Sequence, residues 1–468
     1  MFSSVFICVF FCCILFIWIT DVISFLGFYA GFTAKALWPA LLAGGFMVPV
    51  LRQMIRRKPW NREKLFSGWD MAVVVCFCMF AAGKMVFPDM SEDVCKYHIF
   101  LQDPSWKDMM GFHLLPGGIQ GFGFPLGDRL FYLFRCLLGY RLGTVLNLLC
   151  LLLIYSQARK IMRELCGSRF EKLNPFLCFL AVTQYDAMMQ VGSYMVELIG
   201  TCILLECVWF LLRRPEDGKE MVVFAGLMGF LFAVKMTNIV YVIPLVILYI
   251  FKNRKLVTAR IFWLCFLAGV LPASIYLIHN WIQTGNPVYP YYNTVFGSPY
   301  FADMIFKDKR WGGQNWKEVI LWPFIGIKRP DYRQSELPTP YTWGYASAWL
   351  LLAVCRAGRF LKKTRDQAKL GYMAGVIIAS SLLWSASTGH VRYYMGGFIL
   401  LMITGISAGI CCMSRTKAAE RQWATTCLRL FAGRWREIWK AATEFTESSD
   451  VKKDKIPGLT RSWNNGLQ

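Results

Sequence analysis

The sequence lacks several patterns, and each absence narrows its class. No stretch alternates apolar and polar residues as barrel strands do, so its long apolar segments must satisfy their backbone as helices. No basic residue precedes Lys35, and no clean small-residue cleavage site follows the first apolar run, Phe2 to Thr20. That pattern predicts a retained first helix, not a removed leader. The 17 cysteines form no disulfide framework: Cys8, Cys12, Cys13, Cys150, Cys202 and Cys265 lie inside apolar runs, as small hydrophobes do. Cys76 and Cys78 are too close for a zinc-type pair and have no partner pair, and Cys95 stands alone as a bystander in a loop. The glycine-rich stretch from His113 to Pro125 lacks the Lys-Ser/Thr ending of a phosphate loop and follows no strand, which excludes that motif. Internal self-similarity, the mark of many transporters, is also missing.

What is present is apolar surface. Over 468 residues the chain is 56% hydrophobic and 16% aromatic, with mean hydropathy +0.41. Runs of about 16 to 22 mostly apolar residues recur along it, roughly the length a helix needs to cross about 30 Å of hydrocarbon. The charge is lopsided, with 51 basic against 29 acidic residues and a net charge of +22. Nucleic acid is not the implied partner, because the basic residues gather in short gaps between apolar runs. Arg52 to Lys64, Arg159 to Lys172, Arg213 to Lys219, Lys252 to Arg260 and Arg356 to Lys369 are such gaps. The positive-inside rule assigns them to the cytoplasm.

The chain is therefore expected to be an all-α polytopic membrane protein of about 12 transmembrane helices. They are predicted near 3–22, 34–51, 68–87, 138–157, 173–189, 193–212, 219–235, 237–251, 259–280, 342–356, 371–388 and 394–413. With the basic gaps inside, both termini are cytoplasmic, and two long loops, about 88–137 and 281–341, fall outside the cell (inner) membrane. Residues 1–413 form the membrane domain. Residues 414–468 form a tail whose Trp423, Phe431, Trp435 and Trp439 recur among Arg421, Arg429, Arg434 and Arg436. That pattern suits a basic amphipathic helix on the inner leaflet, with a polar, disordered end.

Two hairpins are short, one between the basic gaps at 213–219 and 252–255 and a similar one spanning 173–212. In the first, about 32 residues separate the basic gaps, so each arm spans about 24 Å, less than the hydrocarbon thickness. Its tip, Lys235-Met236-Thr237-Asn238, should be recessed, and a recessed lysine is costly enough to be a functional candidate. A lysine that snorkels to the interface fits the same position. The neighbouring hairpin carries Gln184, Tyr185, Asp186, Tyr194 and Glu197 near its outer tip.

The acidic residues of the first outer loop centre on Ser91-Glu92-Asp93-Val94-Cys95-Lys96-Tyr97-His98. Desolvation at a membrane surface would raise a carboxylate's pKa and strengthen it as a base. Adjacent carboxylates cannot share a helix face, so Glu92 and Asp93 should differ in role; the segment equally fits an ordinary helix N-cap. In the second outer loop, Asn286 and Tyr289 lie in an amide- and aromatic-rich run that suits either sugar recognition or the interfacial belt. Arg392 precedes Tyr393 and Tyr394 at an outer helix end, where its planar fork matches a lipid phosphate, snorkelling being the alternative.

Taken in order, Asp93 with Tyr97 and His98, the Phe124 to Asp128 stretch, Lys235, the Thr284 to Pro290 loop and Arg392 to Tyr394 resemble the GT-C superfamily of membrane glycosyltransferases. Within it they look especially like the bacterial dolichyl-phosphate-mannose-protein mannosyltransferase-like and aminoarabinose-transferase-like branches. The resemblance covers roughly residues 68–413. It implies a polyprenyl-phosphate-linked sugar donor and a glycan or lipid acceptor reached from the extracytoplasmic face. It gives Asp93 the part of base or acceptor-orienting residue, with Glu92 as substitute. Lys235 and Arg392 would hold the donor phosphate, and Tyr97, His98, Asn286, Tyr289 and Tyr393 would line the pocket. No Trp-Trp-Asp signature is present, so single-sugar transfer is favoured over whole-oligosaccharide transfer. No cofactor is assigned, and a metal is left open. A transporter or flippase for a lipid-linked or polar solute is the alternative. A glycan polymerase or ligase is a further one, kept open by Lys307, Lys309, Arg310, Lys328, Arg329 and Arg333.

Overall fold

The computed structural model describes residues 18–19, 21–22, 68–102, 122–167, 171, 173–213, 218–253, 260–304, 312–313, 315–325 and 365–412, with isolated positions 425, 429 and 436. The expected helices at 34–51 and 342–356, most of that at 3–22, and most of the tail lie outside the described residues, as do Lys307, Lys309, Arg310, Lys328, Arg329 and Arg333. Thr425, Arg429 and Arg436 in the tail are helical and exposed.

Among the described residues there is no strand. Helix α1 is Gly68–Met85; a π-turn, Val94–His98, then runs into Ile99–Gln102. There follow α2 Leu126–Leu142, α3 Val145–Cys166, α4 Asn174–Val182, α5 Tyr185–Gln190, α6 Glu197–Leu212, α7 Gly218–Val234, α8 Ile239–Lys252 and α9 Arg260–Thr284. The last are the short α10 Asn293–Phe296, α11 Trp316–Ile325, α12 Arg365–Ser387 and α13 Met395–Cys412. Five segments are long and apolar enough to cross a membrane: Gly68–Met85, Val145–Cys166, Arg260–Thr284, Ala368–Ser387 and Val391–Ile410. The protein is a multi-pass helical membrane protein. Ion pairs Asp70–Arg159 and Lys369–Glu164 gather the start of α1, the end of α3 and the start of α12 at one end of the bundle, the basic end, while Glu197 with Lys235 and Arg392 gathers the start of α6, the end of α7 and the turn before α13 at the other.

Helix α6 is buried on every side, with only Trp209 and Phe210 partly open, and forms the centre of the bundle. In α9, by contrast, Leu264, Leu267, Leu271, Ile278 and Trp281 stand exposed along one face, where lipid would solvate them. Helices α7 and α9 meet backbone to backbone. A Cβ on Gly229 would lie 2.0 Å from the Phe266 carbonyl oxygen, and one on Gly269 2.1 Å from that of Gly226. Without a strong hydrophobic drive between helices in lipid, such close backbone contact is a principal source of attraction.

Three differences from the expected topology stand out. The end of the expected outer loop 88–137 is helical, because α2 begins at Leu126. Its Asp128, Arg129, Arg135 and Arg141 depress hydropathy and disguise a helix whose first turn is buried. Helix α3 begins at Val145 instead of 138, after a break at Gly139 (φ 80°), which interrupts helical geometry where glycine bears no strain. The expected helix 173–189 is two short ones, α4 and α5, parted at Thr183 and Gln184.

The irregular segment before α6 is fixed by one side chain. Asn147 Nδ2 donates to the carbonyl oxygens of Gln190, Ser193 and Met195 at 3.0, 2.8 and 2.9 Å. Gln190 Oε1 in turn accepts the Leu198 N–H at 3.2 Å, capping the first turn of α6. Non-helical backbone at membrane depth needs such partners, and here they aim the start of α6 at one point.

Candidate functional site

Four charged side chains converge at that point from four elements. Arg392 lies on a single 3-10 turn, Val391–Tyr394, that leads into α13. The turn is held by Trp384, whose indole Nε1 donates to the His390 carbonyl at 2.7 Å and whose ring stacks on Tyr394 at 4.7 Å. Tyr394 is fully buried, hydrogen-bonded to Ser380 Oγ and the Ile377 carbonyl, both at 2.9 Å. The guanidinium is thereby fixed at its base. Its Nη1 meets Asp93 Oδ2 at 2.7 Å and its Nε faces Glu197 Oε1 at 3.1 Å. Lys235, at the turn between α7 and α8, donates to the same Glu197 oxygen at 2.8 Å and lies 4.4 Å from the centre of the Tyr393 ring. The second Glu197 oxygen is buried and has no hydrogen-bond partner among the described residues.

Asp93 opens the π-turn but makes no side-chain cap, so its carboxylate serves Arg392 and not the helix start. The π-turn, a geometry often found at functional sites, buries Tyr97 and His98 together, with ring centres 4.3 Å apart. His98 Nδ1 lies 2.6 Å from Asp128 Oδ1, and both side chains are almost wholly buried. Asp89 anchors the loop ahead of Asp93: its carboxylate accepts the N–H groups of Ser91 at 3.0 Å and Tyr194 at 2.9 Å, across to the segment before α6.

The electrostatics correct one expectation. Burial pushes the Asp93 carboxyl up, as foreseen, but the charge and hydrogen bond of Arg392 outweigh it and hold Asp93 below the ordinary carboxylate range. Asp93 is thus held ionised, which suits orientation of a hydroxyl more than storage of a proton. Burial, and then the positive charge of Arg392, lower His390 to about 4, so it is neutral beside the cluster.

A cavity of about 570 Å³ adjoins the cluster, with Lys84, Asp89, Ser91, Asp186, Gln190 and Arg392 in its wall. Arg392 is shared between cavity and cluster.

Of the residues expected at the site, Asp93, Lys235, Arg392 and Tyr393 are brought into contact, and Tyr97 and His98, packed on each other, lie on the π-turn that Asp93 opens. Glu92 is not among them; it is exposed and paired with Lys96 one turn on. Asn286 and Tyr289 are spent on their own loop. Asn286 donates to the Tyr291 carbonyl and accepts the Val288 N–H, while the Tyr289 hydroxyl donates to the Tyr300 carbonyl at 2.9 Å. Glu197 and Asp128 had been given no site role. The signal for Glu197 was an acidic residue at the tip of a short hairpin, on the same side as Lys235. Among the described residues, no three His, Cys, Asp or Glu side chains are grouped to hold a metal ion.

The sequence profile of the family described as Domain of unknown function (DUF8201) matches residues 134–399, more than half of the chain. The chain belongs to the DUF8201 family. Its matched region contains Glu197, Lys235 and Arg392 and begins after Asp93 and His98. No curated protein matches the sequence. Among solved structures it is similar to ArnT from Cupriavidus metallidurans bound to undecaprenyl phosphate, at TM-score 0.49 and 15% identity, over 73% of this chain and 60% of that one. The apo state of the same ArnT gives TM-score 0.48 and 14% identity, over 77% and 62%. The chain therefore spans about three-fifths of the length of those structures.

Proposed function

We propose that this member of DUF8201 is a membrane glycosyltransferase. It transfers a hexosyl or pentosyl unit from a polyprenyl-phosphate-linked donor to a glycan or lipid acceptor on the extracytoplasmic face of the inner membrane. The observation that carries the reading is the convergence of Lys235 and Arg392 on one oxygen of Glu197, with ionised Asp93 on the other side of Arg392 and a cavity against it. Two cations sharing one carboxylate oxygen form a ready site for a phosphate, whose oxygens can replace that carboxylate.

In the transfer, an acceptor hydroxyl oxygen bonds to the anomeric carbon while the carbon–oxygen bond to phosphate breaks. The lipid phosphate leaves with that electron pair and gains negative charge, and Lys235 and Arg392 stabilise it as it forms. Asp93 orients the hydroxyl and draws on its proton. The cavity beside Arg392 is the acceptor's seat in this scheme. The charged groups stand at helix ends, the start of α6, the end of α7 and the turn before α13, which favours chemistry at a surface over passage through the bundle.

The test is incubation of the purified protein with a panel of undecaprenyl-phosphate sugars, following release of free undecaprenyl phosphate with a membrane-lipid or glycan acceptor extract present. Release with at least one donor, lost in Lys235→Ala, is the expected result. If no donor in the panel yields free lipid phosphate, while the protein moves a labelled lipid-linked sugar across vesicles, the flippase alternative replaces this reading.

A further inference from the structure

His98 and Asp128 form a dyad that the phosphate site does not require. Asp128 comes from the first turn of α2 and His98 from the π-turn, so two separate elements are built to bring them together. The Nδ1–Oδ1 distance is 2.6 Å, and the side chains are 2% and 3% exposed. With Asp128 as the acceptor of this hydrogen bond, Nδ1 is the donor. In the tautomer that carries its single proton there, Nε2 is a bare lone pair. That nitrogen is buried and has no partner among the described residues. An imidazole whose far nitrogen is held by a carboxylate, and whose near nitrogen is left unspent, has the arrangement of a proton acceptor. Asp93 opens the same π-turn that His98 ends, so one short segment carries both side chains.

We propose that His98 Nε2 is the terminal acceptor of the proton lost by the attacking hydroxyl, with Asp128 its positioning residue. This rests on the glycosyl-transfer reading above and adds to it where the proton goes. As the acceptor oxygen bonds to the anomeric carbon, the electron pair of the breaking bond leaves with the lipid phosphate. The hydroxyl proton passes along Asp93 to Nε2, and an imidazolium forms against Asp128. Arg392 keeps Asp93 acidic, so Asp93 conducts the proton without retaining it. Asp128 fixes the ring in the one tautomer whose bare nitrogen can receive it, and its charge stabilises the imidazolium.

Two measurements test this. The first needs no turnover. The chain has only four histidines, so nitrogen-15 spectra of the full-length protein in micelles can be assigned with single His→Gln variants. The expected neutral His98 is protonated on Nδ1 and bare on Nε2, and this preference is lost in Asp128→Asn. A His98 protonated on Nε2 alone overturns the proposal.

The second is steady-state kinetics with whichever undecaprenyl-phosphate sugar the wild type turns over. His98→Gln and Asp128→Asn should each lower kcat by about 100-fold or more, with donor KM within about threefold. His98→Gln with wild-type kcat overturns the proposal and leaves the transfer reading standing. A raised donor KM with unchanged kcat also overturns it, making the dyad part of donor binding. If the wild type turns over no donor, the transfer reading fails first and the proton route falls with it.

Discussion

Two clusters of buried charge lie at opposite ends of this bundle, and they are built differently. At the basic end, Asp70 of α1 is fully buried and bonded to Arg159 and to the Tyr155 hydroxyl, the latter at 2.7 Å. Nearby, Glu206 accepts from Gln157 at 3.2 Å and faces Lys160 at 3.6 Å. There each carboxylate has its own cation and a neutral donor, and none of these side chains borders the cavity beside Arg392. At the other end, Lys235 and Arg392 compete for a single Glu197 oxygen, the second oxygen has no partner among the described residues, and Arg392 borders a cavity. Buried charge alone therefore does not mark a site in a membrane protein. Shared and incompletely satisfied charge beside open volume does, because only there can an incoming anion take over contacts already made.

The sharpest way to break that comparison is Asp93→Asn. On the proposed transfer reading, loss of this charge should lower sugar transfer by about 10²–10⁴-fold, with expression in membranes unchanged. Wild-type transfer would remove Asp93 from the chemistry and reduce it to a counter-ion for Arg392. Arg392→Ala comes next. It should raise donor KM by about tenfold or more, because it removes the fork and frees Glu197 to hold Lys235 alone. A donor KM left where it was would shift the phosphate site away from this cluster.

At the basic end the same kind of cut should act on stability and not on donor use. Asp70→Asn leaves the Arg159 guanidinium buried without its anion, at a cost of about 3–5 kcal/mol. It should lower Tm in detergent clearly while donor KM stays constant. The double variant Asp70→Leu with Arg159→Met should recover most of the loss, since a closed pair is replaceable by apolar packing. If Asp70→Asn alters donor KM as strongly as Arg392→Ala does, the two ends are not functionally distinct.

Much of the cluster around Arg392 was legible because its members announce themselves. A lysine at the tip of a short hairpin and an arginine between two apolar helices are costly placements, and the structure has Lys235 at the turn between α7 and α8 and Arg392 at the turn before α13. Glu197 was harder. Its partners are 38 residues away at Lys235 and far beyond at Arg392, and pairing over such distances depends on how α6 packs, which no local pattern records. Helix α2 was missed for the opposite reason. Asp128 and Arg129 look like loop residues by hydropathy, yet both are buried, Asp128 against His98 and Arg129 against Asp21. Asn286 and Tyr289 had the right chemistry for a sugar, but the same amide and hydroxyl groups are what an irregular loop needs to satisfy its own backbone.

A smaller effect is expected from His390, beside the Arg392 cluster. Burial and Arg392 hold it near 4 in the folded protein, against 6.5 for the free side chain. Between those values the unfolded chain takes up a proton that the folded chain refuses, so stability falls as pH is lowered from about 6.5 toward 4 and is complete above that range. Tm in detergent should decline over this window, and His390→Gln should flatten the slope. An unchanged slope in the variant would assign the acid sensitivity to another group.

The smallest effect belongs to Glu92, and it separates position in the sequence from position in the site. Glu92 and Asp93 are neighbours, but helical geometry turns them about 100° apart, so only one can face Arg392. The Glu92 side chain is 75% exposed and pairs with Lys96, itself 53% exposed, in an i,i+4 arrangement. Water and salt screen such a pair, and its contribution to stability is close to nothing. Glu92→Gln should therefore leave Tm within about a degree and transfer activity within about twofold of wild type. A large loss of activity with Tm unchanged would mean that the segment before the π-turn turns over during the reaction to bring Glu92 inward. The static assignment of Asp93, and not Glu92, as the carboxylate facing Arg392 would then fail, even though the rest of the cluster around Arg392 stood.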